Sequence, residues 1–96
     1  MPDTRVFRYR LPITDAPALH LPAGAQVLSI GPPRDGTDQL DLWAVVNFGE
    51  NRMETVEFRV IGTGNPMPDD CGRFVGTVPT HGGSLIWHVF EVANRS

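Results

Sequence analysis

A chain of 96 residues can build one hydrophobic core and no second, so residues 1–96 are expected to form a single β domain. Its one cysteine, Cys71, cannot bridge within the chain and no Cys/His pair shows zinc-ligand spacing, so neither disulfide nor structural metal is expected, and no cofactor is expected either. A net charge of −3, from 8 basic and 11 acidic residues, argues against general nucleic-acid binding, and no apolar run has the length of a signal peptide or a membrane span, which makes cytoplasmic the expected location.

Nine prolines and ten glycines divide the chain into short segments rich in Val, Ile, Phe, Trp and Thr, the composition of strands. Residues 5–11 form the first predicted strand, where Phe7, Tyr9 and Leu11 alternate with Arg8 and Arg10, giving one apolar and one basic face. A short extended piece at 18–21 follows, then a strand at 25–30. The Asp35-Gly36 pair marks a hairpin from that strand to the next, 39–47. There Leu40, Leu42, Ala44 and Val46 share one side while Trp43 and Val45 take the other.

After a turn at Gly49-Glu50-Asn51-Arg52, residues 54–63 alternate Val56, Phe58 and Val60 against Glu57 and Arg59, as a half-buried strand does. Residues 62–72 read as the longest irregular loop, with room for one helical turn near Pro66 to Asp70. Strands at 74–78 and 84–92 form a last hairpin about Pro79-Thr80-His81-Gly82-Gly83. The expected fold is therefore all-β: a small antiparallel sandwich or barrel of six to seven short strands joined by hairpins. Val56, Phe58, Val60, Leu40, Leu42 and Trp87 are its expected core.

The order of blocks Phe7-Arg8-Tyr9-Arg10-Leu11-Pro12, Leu42-Trp43-Ala44-Val45-Val46, Gly62-Thr63-Gly64-Asn65-Pro66 and Trp87-His88-Val89-Phe90-Glu91 resembles a family of small uncharacterised all-β proteins. Its members are encoded by bacteriophages, prophages and actinobacteria. The resemblance implies a genomic setting and carries no site residues.

Two candidate sites emerge from the residues themselves. In the first, small residues at Gly62 to Pro66 let backbone N–H groups gather around an anion, helped by Thr63, Asn65 and the guanidinium of Arg59, with His88 nearby on a strand. The competing structural reading has the glycines supply positive φ where a strand leaves its sheet, and His88 pack as a bonded strand residue. Arg8, Arg10 and Arg59 would make one compact anion patch if their strands are neighbours, the alternative being that they pair with Glu54 and Glu57 and keep the sheet soluble. The second candidate is an interface: Trp43, Val45 and Trp87 occupy the second face of strands whose first face is already apolar, and burying them between copies would supply stability that no staple provides.

Asp69-Asp70 beside Cys71 does not make a nucleophile, since adjacent acids disfavour the thiolate. No catalytic constellation is recognisable, so the chain is expected not to be an enzyme. The function expected is a non-enzymatic binding protein of phage or prophage type, a homo-oligomer that inhibits a host protein or sequesters a small anionic ligand. The alternatives are a structural or virion-associated β module and a small enzyme with an unrecognised site.

Overall fold

Period-two alternation becomes two facing sheets in the computed structural model, which describes residues 3–93 and 95. Seven strands are formed among them: β1 (Thr4–Pro12), β2 (Ala18–Pro22), β3 (Gln26–Gly31), β4 (Gln39–Asn47), β5 (Met53–Gly62), β6 (Cys71–Thr80) and β7 (Leu85–Val92). One sheet has the order β1-β4-β3 and the other β2-β5-β7-β6, with every pairing antiparallel. The arrangement is a sandwich, and both expected hairpins, β3–β4 and β6–β7, are present.

The core sits where the alternation put it. Leu11, Val27, Leu40, Leu42, Ala44 and Val46 from the first sheet meet Leu21, Val56, Phe58, Val60, Val78 and Val89 from the second, all buried. Trp87 packs half-buried against this cluster, and its indole N–H donates to the Thr80 hydroxyl (2.9 Å), which gives the buried end of the ring its polar partner. At the opposite end of the same inner face, Arg95 pairs with Glu91 (3.1 Å) and Glu54 (3.5 Å), so the carboxylates there are matched.

The second sheet hangs on β5, whose first half pairs with β2 (Ala18↔Glu57 to Pro22↔Met53) and whose second half pairs with β7 (Phe58↔Glu91 to Gly62↔Trp87). Along one side the sandwich closes on itself. A Cβ on Gly76 of β6 would lie 2.7 Å from a methyl of Ile30 on β3, and the Arg73 guanidinium donates to the Val27 carbonyl. Only a glycine lets the two sheets meet this closely there.

At two places the structure adds what the alternation leaves open or misplaces. No helical turn forms at Pro66 to Asp70: Asn65 and Met67 each precede a proline, which pushes their backbone out of the α region, and Asp70 is held elsewhere, by Arg59. A single 3-10 turn lies at His81–Gly83 instead, with φ of 54° at His81 and 65° and 91° at the two glycines, as the tight β6–β7 reversal requires. In addition β6 starts at Cys71 rather than Phe74. Bulges between Cys71 and Arg73 and between Phe74 and Gly76 break its alternation and hide the strand in the sequence.

Candidate functional site

On β5 and β7 the residues that do not face the core face solvent, and they carry most of the polar chemistry of the second sheet. Ile61, His88 and Phe90 project outward there, with Arg59 opposite Phe90 and Thr77 of β6 opposite His88. The chain leaves β5 through a β-turn in which Asn65 N–H donates to the Gly62 carbonyl (3.1 Å), and Gly64 takes φ +92°, a conformation that disfavours any side chain. That turn lifts residues 63–67 along the face, so that Ile61, Thr63, Asn65, Met67, His88 and Phe90 line a shallow recess of about 300 Å³.

His88 is fixed from both sides. Its Nε2 lies 2.8 Å from the Thr63 hydroxyl and its Nδ1 3.1 Å from the Thr77 hydroxyl. A neutral imidazole donates through one nitrogen and accepts through the other, and each hydroxyl can take either complementary role, so both tautomers are accommodated. Among the described residues no carboxylate orients the ring; the bridge ties β7, β6 and the loop after β5 together and leaves one polar spot amid apolar side chains. Around it Phe90 packs on Phe74 with ring centroids 5.4 Å apart, and Phe74 and Met67 are 53% and 58% exposed. Exposed apolar groups gathered on one sheet face mark a surface suited to a partner.

The structure therefore brings Thr63, Asn65 and His88 together, and uses them differently from the anion reading. Thr63 N–H donates to the Ile86 carbonyl (3.2 Å) and Asn65 N–H closes the β-turn, so two of the backbone donors needed for an anion nest are occupied. Arg59 is occupied too. Its Nε (3.1 Å) and Nη2 bind the two oxygens of Asp70, and its Nη1 donates to the Phe58 carbonyl (2.9 Å). This bidentate clamp pins the end of the 63–70 loop to β5 and holds the Asp70 carboxyl below its ordinary pKa.

The three-arginine patch does not form either, because β1 and β5 belong to different sheets and each arginine has its own aspartate: Arg8–Asp41 (3.0 Å), Arg10–Asp35 and Arg59–Asp70. The Cys71 thiol is pushed up from its ordinary pKa, first by burial and then by the Asp70 charge, the reverse of nucleophile activation. Among the described residues no three His, Cys, Asp or Glu side chains cluster in a way that could hold a metal ion.

The proposed interface residues separate. Trp43 and Val45 lie half-buried on the outer face of the first sheet, where the Trp43 ring covers Gly31. Trp87 points inward between the sheets, because its register partner Gly62 leaves room for the ring and Thr80 supplies its hydrogen bond. The three do not share a face. Sequence reasoning missed Met67 as part of the recess, and Phe74 and Thr77 as the neighbours that hold Phe90 and His88 on the same face. Phe74 was masked by the β6 bulges and Met67 by its irregular loop, while the Ile86/His88/Phe90 alternation was the signal that did point here.

A family model, the domain of unknown function DUF7352, matches residues 2–96, and the chain belongs to that family. No curated protein and no solved structure matches it. No helix of the described residues is long and apolar enough to cross a membrane.

Proposed function

We propose that this DUF7352 chain is a non-enzymatic binding module that seats an apolar or aromatic side chain of a protein partner in the recess over His88. The observation that carries this reading is the apolar surface of exposed Met67 and Phe74 with half-buried Ile61 and Phe90, around a histidine already bridged by two threonines. Apolar area drives association and the fixed polar spot gives it direction. An anionic small molecule is the weaker occupant, since Arg59 and the turn N–H groups are engaged within the chain. The phage-type setting implied by the sequence resemblance fits a small protein that acts in a host cytoplasm by holding a host factor.

Nuclear magnetic resonance titration of the labelled chain tests it, with N-acetyl-tryptophanamide and, separately, inorganic phosphate as probes. The expected result is saturable shifts at Met67, Phe74, His88 and Phe90 with the indole probe and none with phosphate. Shifts at Thr63 to Asn65 with phosphate alone would restore the anion reading and overturn this one.

A further inference from the structure

Four strands lie at sheet edges, β1 and β3 in one sheet and β2 and β6 in the other. Exposed edges invite pairing with another chain, and proteins usually blunt them. Three are blunted here. β3 carries a bulge between Val27 and Ser29, β6 carries two bulges and Pro79, and these two lie against each other where the sandwich closes; β2 is 5 residues long and ends in Pro22. By contrast β1 runs 9 residues in unbroken register with β4, from Thr4↔Asn47 to Pro12↔Gln39, with its only proline at the last position.

The phase of the β1–β4 ladder fixes what the free edge offers. Phe48 N–H donates to the Asp3 carbonyl (2.8 Å), and opposite residues in an antiparallel pair exchange bonds alternately. Odd-numbered residues of β1 thus bond to β4, while the N–H and C=O groups of Thr4, Val6, Arg8 and Arg10 face away. Apolar side chains are exposed beside them: Val6 is 55%, Phe7 39% and Phe48 51% exposed, with Phe7 and Phe48 in ring contact at 6.2 Å.

We infer that β1 is a dimerisation strand, pairing antiparallel with β1 of a second copy about a two-fold axis at Phe7. The charges select this occupant. Arg5, Arg8 and Arg10 are each paired within their own chain, to Asp3, Asp41 and Asp35, so the edge has no uncompensated positive charge to draw an acidic strand. They also select the register. Centring on Arg5 or Arg8 sets an arginine against its own copy, and centring on Tyr9 sets Arg8 against Arg10, all like-charge pairs that destabilise a ladder. Centring on Phe7 avoids every such pair: Thr4 meets Arg10, Val6 meets Arg8, Arg5 meets Tyr9, and Phe7 meets Phe7. A shift to Val6 also avoids them but leaves Arg10 beyond the partner's strand. The Phe7-centred pairing merges two three-stranded sheets into one and uses a surface separate from the recess over His88.

Light scattering of the full chain, with disulfide trapping in a Cys71→Ser background, tests the inference. The expected mass is twice 10.6 kDa. Val6→Pro should return it to monomer with its near-ultraviolet circular dichroism intact, because the Val6 N–H faces away from β4. Phe7→Cys should cross-link under diamide at least about tenfold faster than Trp43→Cys, since facing residues of a non-hydrogen-bonded pair lie at disulfide distance. A monomeric mass at all concentrations overturns the inference, as does a dimer that Val6→Pro leaves intact or in which Phe7→Cys traps no faster than Trp43→Cys.

Discussion

The two outer faces of the sandwich are built by the same alternation and end in opposite states. On the three-stranded sheet, Arg8 and Arg10 are matched to Asp41 and Asp35, and Trp43 lies over Gly31, so the polar and aromatic groups are satisfied by neighbours in the same chain. On the four-stranded sheet, the hydrogen bonds of His88 are satisfied while Phe74 and Met67 remain exposed beside half-buried Phe90. The same alternation can thus satisfy a face's polar and aromatic groups within the chain or leave apolar groups at the surface beside a satisfied polar one. The second case is where the proposed contact is placed.

The largest expected effect removes the support of both faces at once. Phe58 is fully buried between the sheets, and Phe58→Ala should cost about 3 to 5 kcal/mol in urea unfolding, enough to unfold a domain of this size. A loss under about 1 kcal/mol would show that the two sheets do not depend on a shared core.

A smaller effect tests the paired face alone. The Asp41 side chain is 3% exposed; its Oδ1 accepts from Arg8, while its Oδ2 has no hydrogen bond and only Arg34 Nε nearby at 3.8 Å. Asp41→Ala leaves the half-buried Arg8 without its partner, and should cost about 1 to 3 kcal/mol. Indole-probe binding at the other face should be unchanged. A variant as stable as the parent would mean that the ion pair merely offsets its own desolvation.

How much of this was legible in the sequence follows from where period two holds. It holds across β1, β4 and β5, and there the alternation named the inward residues, Leu40, Leu42, Val56, Phe58 and Val60 among them. It fails in β6, where two bulges shift the phase, so Phe74 could not be assigned to a face. Pairing partners lie beyond any local pattern. Alternation leaves Arg59 open to an anion or to Glu54 and Glu57, because Asp70, eleven residues later, meets it only after the loop folds back. Trp87 was read both as core and as interface because alternation along β7 does not say which of its two sides is the interior; the register with Gly62 decides that.

The smallest expected effect is a pH response that separates the faces by their carboxylates. The Asp35 carboxyl is lowered to about 2, by its hydrogen bond from Thr37 first and by Arg10, and Asp70 is lowered by its hydrogen bond from Arg59 first. A carboxyl whose folded pKa is depressed contributes stability that is fully present above its unfolded value, here 3.8, and that is lost as pH falls through the folded one. Both carboxylates are open to solvent, so the response is a loosening of loops and not global unfolding. As pH falls below 3.8, the resonances of residues 63–70 should shift as Asp70 protonates and releases Arg59. Those of the 32–38 connection should hold until nearer pH 2, where Asp35 titrates. In Asp70→Asn the first change should already be present at neutral pH and the second should persist, since the two clamps sit on different sheets and share no residue. If Asp70→Asn removed both responses together, the two faces would be coupled through the core, and their independence would fail.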